Sequence, residues 1–263
     1  MYERREVFPF APLALVAAEL RFAYSPRLGQ RETLDALALA LEDELPVVRP
    51  VQKTSITFPG GESEVENVYR LFNSDSTLSL SITATAVTLE STKYSEFSSF
   101  ISILMRAAEQ IERLRAVHAL ERIGLRYIDE IRVPVPIDDA RDWRGWVADP
   151  LVDLLDVAGK MKATTSQGVV EYDLGDSRRL AFRFAAINGD PVVGTDPLLR
   201  DPLPGPGPYF VLDVDAYWQP GRSELSEFIS GYIETHLHGL HGPTGAAFQD
   251  AITDQARSLF RGN

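Results

Sequence analysis

The residues best suited to chemistry fall into three small groups. Asp213 and Asp215 alternate with Leu212 and Val214, so on a strand both carboxylates share one face. Such a pair could hold Mg²⁺ or move protons. It could equally be neutralised by Arg183 on a neighbouring strand, and no third acid stands at a recognisable spacing. The second group is Arg126, Tyr127 and Asp129, followed by Glu130 and Arg132. Glu130-x-Arg132 repeats Glu19-x-Arg21. The repeated pair predicts cross-strand ion pairs, or a groove if the two pairs meet around a pseudo-two-fold axis.

The third group is His236, His238 and His241, three of the four histidines within six residues. Such a cluster could bind zinc. Residues two apart on a helix point in different directions, however. That leaves His238 and His241 as a weak candidate pair, and the expectation is no metal and no cofactor. His236 is expected to point inward. Trp143, Trp146 and Trp218 lie near strand ends and suit either a core or the rim of a binding surface. The candidate binding set is therefore Arg126, Tyr127, Asp129, Arg132, Asp213, Asp215, Trp218 and His241, with no catalytic residue assigned.

Composition removes other chemistries. The 263 residues include 38 acidic and 26 basic ones, a formal net charge of -12, and no cysteine. Disulfide scaffolds, thiol nucleophiles and cysteine-ligated metals are excluded. Duplex DNA bound by phosphate neutralisation needs clustered cations and is not expected. No Gly-x-Ser-x-Gly elbow, Walker A loop, dinucleotide glycine motif or His-Glu-x-x-His occurs. Gly242-Pro-Thr-Gly245 lacks the lysine of a phosphate loop and reads as a helix break. No apolar run reaches the ~18 residues of a membrane span. The Met1 to Val7 start lacks a signal-peptide core, so a soluble, cytoplasmic protein is expected.

The elements that must position these groups show an internal echo. Ser95 to Ser102 and Ser223 to Ser230 share six of eight residues at an offset of 128. Glu19-Leu-Arg-Phe22 and Glu130-Ile-Arg-Val133 echo at an offset of 111. A Pro- and Gly-rich insertion, Asn188 to Pro208, accounts for the difference of 17. It suits a surface connection, a lid or a docking loop.

Patterning predicts the same element order in each half. In the first half, strands cover 15–24, 53–58, 66–72 and 77–91, with helices over 31–45 and, capped by Ser95, from 95 onward. In the second half, strands cover 125–135, 161–166, 169–174, 180–187 and 209–217. A helix runs over 151–158 behind an Asp149 cap, another starts at Ser223, and a last one covers 245–260. The expected fold is α+β, with duplicated β-α-β(3-4)-α units, residues 1–122 and 123–263, forming antiparallel sheets backed by long helices. That order is analogous to the TATA-binding-protein arrangement, although fold does not carry function. The 77–91 strand carries Ser and Thr and no cation before Lys93, which argues against a nucleic-acid saddle.

Several ordered segments carry a resemblance. They are Leu15 to Phe22, Leu125-Arg-Tyr-Ile-Asp-Glu-Ile131, Leu212-Asp-Val-Asp215, Leu240-His241, Phe248, Ile252-Thr253 and Phe260. The chain resembles a sporadically distributed family of uncharacterised bacterial proteins of about this length. Asp129 stands where the pattern has Asn. The resemblance implies no activity, cofactor or catalytic residue. Its patchy distribution implies an accessory of mobile or defence loci, such as an antitoxin- or immunity-like protein.

The function expected from these observations is a non-enzymatic interaction module for a basic protein partner, with a homodimer possible through an open sheet edge. A small-molecule pocket gated by 188–208 is the alternative, and a metal-dependent hydrolase using Asp213, Asp215 and the histidines is the third.

Overall fold

The strand Leu13–Phe22 (β1) buries Val16, Ala18, Leu20 and Phe22 and leaves Ala17, Glu19 and Arg21 on its other side. This period-two alternation is repeated along the sheet and decides where the helices lie. The computed structural model describes residues 6–57, 62–194, 196–221 and 226–262, with no account of the side chains of 50–57, 62–67 and 158.

The order continues with α1 (Arg31–Ala40), β2 (Val47–Thr57), β3 (Glu62–Phe72), β4 (Leu78–Ile82), β5 (Ala86–Ser91) and α2 (Phe97–Arg113). Then come β6 (Ala119–Ile131), β7 (Ser166–Gly175), β8 (Arg178–Gly189), β9 (Gly207–Trp218), β10 (Ser226–Glu227), α3 (Ser230–Ala251) and α4 (Asp254–Arg261). The strands form one antiparallel ten-stranded sheet in the order β2-β3-β4-β5-β1-β6-β9-β8-β7, with β10 on β6. The fold is thus α+β. The 122/123 position lies inside β6, whose neighbours are β1 and β9.

One core cluster runs beneath the sheet. Phe100, Ile101, Leu104, Ala108 and Ile111 of α2 pack there with Ile233, Leu237 and Leu240 of α3. The strands supply Leu89, Ile123, Leu125, Leu212 and Val214 to the same cluster. Trp143 is 1% exposed and meets Phe210 edge-on, and Trp146 is also buried. Burying side chains of this size contributes roughly 1.5–3 kcal/mol each. The opposite face of the sheet carries no helix among the described residues and is open over its middle strands.

Several expected elements are redrawn. The single strand over 77–91 is a hairpin, β4 and β5. The Thr83 hydroxyl accepts from the backbone N–H groups of Thr85 (3.2 Å) and Ala86 (3.0 Å), which turns the backbone within an otherwise strand-like run. The helix over 151–158 is instead two short 3-10 turns, 149–151 and 153–158. Residues 161–165 form no strand. The cap of α2 is Glu96 rather than Ser95, with the Ser98 and Ser99 hydroxyls donating to its carboxylate. Ser223 as a cap and the Pro59-Gly-Gly61 turn lie outside the described residues.

The largest correction concerns Gly239 and Gly242-Pro243. They do not end a helix, because α3 runs unbroken through Pro243. Ile233, Leu237, Leu240, Thr244 and Ala251 form one buried stripe through the proline. Tertiary burial outweighs the local cost of proline, roughly 3 kcal/mol in a helix interior. The expected junction at 175–177 holds: Asp176 and Ser177 have φ of 53° and 60°, as a two-residue type I′ hairpin requires.

Candidate functional site

The open face of the sheet forms a groove of about 1410 Å³. Its floor comes from β1, β5, β6, β8 and β9, and Asp196 and Pro197 of the insertion contribute to its wall. Seven charged side chains on this face are interlocked. Arg122 donates to Glu19 at 2.9 Å and straddles Asp215 at 2.8 and 3.0 Å. Arg126 grips Asp213 with Nε and Nη2, both at 2.7 Å. Arg183 reaches Asp213 at 3.5 Å and Asp215 at 3.8 Å. Arg21 closes the other end on Glu19 at 2.7 Å. The result is a ladder running Arg21–Glu19–Arg122–Asp215–Arg183–Asp213–Arg126 across four strands.

Local sequence builds this ladder. Arg122, Gly124 and Arg126 are two apart on β6, so they face the groove while Ile123 and Leu125 face the core. Gly124 pairs with Glu19 on one side and Tyr217 on the other. With no side chain there, the Arg122 guanidinium lies over β6 and reaches the Tyr217 ring, 4.7 Å from its centroid. The hydrogen bonds from Arg126 to Asp213 hold the Arg126 guanidinium charge more firmly than in water, outweighing partial burial.

At one end the insertion covers the open face. Ile128, Tyr209 and Val211 form a small second apolar cluster there with Leu15 and Ile187. The Glu130 side chain is fully buried beside this cluster. It accepts from Arg132 (2.6 Å), Arg200 (2.6 Å) and the Val192 backbone N–H (3.0 Å). Burial pushes its carboxyl upward, but these donors together hold it below the ordinary range. The Tyr209 hydroxyl donates to the Asp190 carbonyl at 2.7 Å. Further along, the Leu199 N–H donates to the Ser76 carbonyl (2.8 Å), and the Thr92 hydroxyl donates back to the Leu199 carbonyl. The insertion is therefore a strap from the β8–β9 end to the β3–β4 turn.

The candidate binding residues divide between the two faces. Arg126, Asp213 and Asp215 meet in the groove, and Arg132 sits under the strap. Tyr127 and His241 meet on the helix side, where the Tyr127 hydroxyl lies 3.2 Å from His241 Nδ1 and 3.2 Å from the Tyr94 hydroxyl. His241 stacks flat on Phe97 at 4.1 Å, while the more exposed His238 meets the edge of that ring. Trp218 is 4% exposed and packs on His236, which is half-buried rather than on the inward stripe. Burial and the nearby Arg178 both lower the His236 pKa. Asp129 lies on the helix side with Tyr127, is 4% exposed, and is pushed up to about 8 by burial. No group of three His, Asp or Glu side chains among the described residues could hold a metal ion.

The ladder contains Glu19, Arg21, Arg122 and Arg183, which the candidate set lacks, as it lacks Gly124 beneath Arg122. Glu19 and Arg21 enter the sequence reading as an ion pair or part of a groove, and Arg183 as a pairing partner. Arg122 and Gly124 fall outside it because patterning starts the strand at Leu125, whereas β6 begins at Ala119. The period-two run Arg122-x-Gly124-x-Arg126 is the signal that could have found them.

No protein-family model and no curated protein matches this chain. Among the described residues, no helix is long and apolar enough to cross a membrane.

Proposed function

We propose that this protein is a non-enzymatic binding module that receives a protein partner in the open groove. The observation that carries this reading is the Arg–carboxylate ladder fixed on four paired strands over a single helix-backed core. Each rung is held by the sheet, so little side-chain entropy is lost when a partner docks. The partly exposed guanidiniums of Arg21, Arg126 and Arg183 can trade partners across an interface and set register and specificity. The groove lining carries five arginines and five carboxylates. The overall charge of -12 therefore resides mainly elsewhere, where it would speed encounter with a basic protein. An antitoxin- or immunity-like role in the cytoplasm fits that reading.

The strand order also supports reading the sequence as two related halves. β1 and β6, the first strands of the halves, pair at the centre, and β5 and β9, the last long strands, flank them. This is the arrangement expected of a duplicated, TATA-binding-protein-like sheet. A balanced groove nonetheless suits a protein better than duplex DNA.

A photo-cross-linking residue at Thr85, in the groove, and another at Thr235, exposed on α3, test the reading in the native host. A stoichiometric adduct from Thr85 alone supports it. No adduct, or equal adducts from both positions, contradicts it. A second reading, a small-molecule pocket, draws support from the strap that walls the groove. Thermal stabilisation by a metabolite, with no protein adduct at Thr85, would favour it instead.

A further inference from the structure

We infer that Arg126 and Arg183 form a seat for a single carboxylate of the partner. This deepens the groove-binding reading and rests on it. Arg183 is the ladder's most loosely held cation. It reaches Asp213 Oδ2 at 3.5 Å and Asp215 Oδ2 at 3.8 Å. Both acids are already gripped more closely, by Arg126 at 2.7 Å and by Arg122 at 2.8 and 3.0 Å. Arg126 spends Nε and Nη2 on Asp213, which leaves Nη1 outside that grip. Both guanidiniums line the groove and are exposed to a similar degree, 44% for Arg126 and 43% for Arg183. They converge on one atom, since Asp213 Oδ2 contacts each of them.

Charge selects the ligand class. Within the balanced groove the ladder itself joins four guanidiniums to three carboxylates, a local surplus of one positive charge beside the loosely held Arg183, which suits one monovalent anion. A carboxylate brings one charge and two coplanar acceptors, matching the guanidinium fork. A phosphate monoester brings up to two charges beside Asp213 and Asp215 and over-compensates. A run of nucleic-acid phosphates would need several spare cations, where the ladder has one. The carboxylate could be an Asp or Glu side chain or the partner's own C-terminus, and both present the same group.

The test uses the full-length protein with ¹⁵N-labelled arginine at low salt. Three probes are titrated: acetyl-Gly-Glu-Gly-amide, acetyl-Gly-Gly-Gly with a free C-terminus, and inorganic phosphate. The Arg126 and Arg183 Nε–H signals are expected to move with one or both peptides, and less with phosphate. Whichever peptide binds more tightly identifies the source of the carboxylate. Arg183→Gln is expected to weaken peptide binding at least fivefold, whereas Arg31→Gln, on α1 and outside the groove, leaves it within twofold. Circular dichroism confirms that both variants fold. Still signals, tighter binding of phosphate, or an R183Q variant that binds like wild type would overturn the seat. If Thr85 still captures a partner in any of those cases, only the seat is lost. Peptide binding without a captured partner would instead sink the protein-partner reading.

Discussion

Arg122 lies across Gly124 so closely that a Cβ at position 124 would stand 2.3 Å from the Arg122 guanidinium. That contact places Arg122 between Glu19 and Asp215 and so joins β1 to β9 through β6. The obstructing atoms are the far end of a flexible side chain, so the fold can absorb a methyl group by moving them. Gly124→Ala is expected to change stability by less than about 1 kcal/mol, the strand's gain over glycine offsetting the lost pairs. Groove binding should nevertheless fall several-fold. Denaturant unfolding and titration of the acidic peptides measure the two effects separately.

Asp129 gives the protein a pH dependence. Its folded pKa, about 8, lies above its ordinary value of 3.8. The folded state therefore holds the proton longer than the unfolded state. Its destabilising effect is absent below about pH 4 and grows as pH rises through about 8, then levels off. Asp129→Asn removes the titration. The variant should gain on wild type by up to about 1.4 kcal/mol per pH unit between those limits. Chemical denaturation at pH 5 and pH 8 checks this, and an equal difference at both pH values would contradict it.

Glu130 has the opposite sign. Its folded pKa is depressed, so its contribution is present above the ordinary carboxylate range and lost as pH falls through the folded value. Glu130→Gln leaves Arg132 and Arg200 without their buried counter-charge. The expected loss is about 3–5 kcal/mol, with amide signals of the 188–208 strap broadening first. Thermal unfolding and hydrogen exchange report both.

Pro243 lies inside α3 and lacks the N–H that a helix interior uses. Pro243→Ala should raise stability by about 1–3 kcal/mol, visible as a higher Tm. The Thr244 hydroxyl, which donates to the His241 carbonyl at 2.8 Å, remains in place.

Strands are legible in the sequence wherever one face is buried and the other polar. β1, β8 and β9 lie within about three residues of where alternation puts them. The Glu19-x-Arg21 and Glu130-x-Arg132 pairs both close, at 2.7 and 2.6 Å. Glu19 and Arg21 pair within β1, because residues two apart share a face, Glu130 pairs with Arg132 just past the end of β6, and Glu19 also pairs across strands with Arg122. Pro243 misleads because propensity is local, whereas the stripe from Ile233 to Ala251 is buried by the whole sheet. Tyr127, Asp129 and Trp218 are grouped with Arg126 as candidate binding residues, yet alternation on β6 and β9 sends them to the helix side. The ladder cannot be read from one strand, since its rungs come from β1, β6, β8 and β9 and exist only once register is set.

The affinity of the Thr85-captured partner is to be compared between the wild-type protein and its Arg183→Glu variant. Charge reversal places a carboxylate beside Asp213 and Asp215 without removing a short ion pair. At least a tenfold loss of affinity is expected, with Tm within a few degrees of wild type. Unchanged affinity would contradict the Arg126–Arg183 seat and with it the claim that the ladder is the part of the groove that holds the partner.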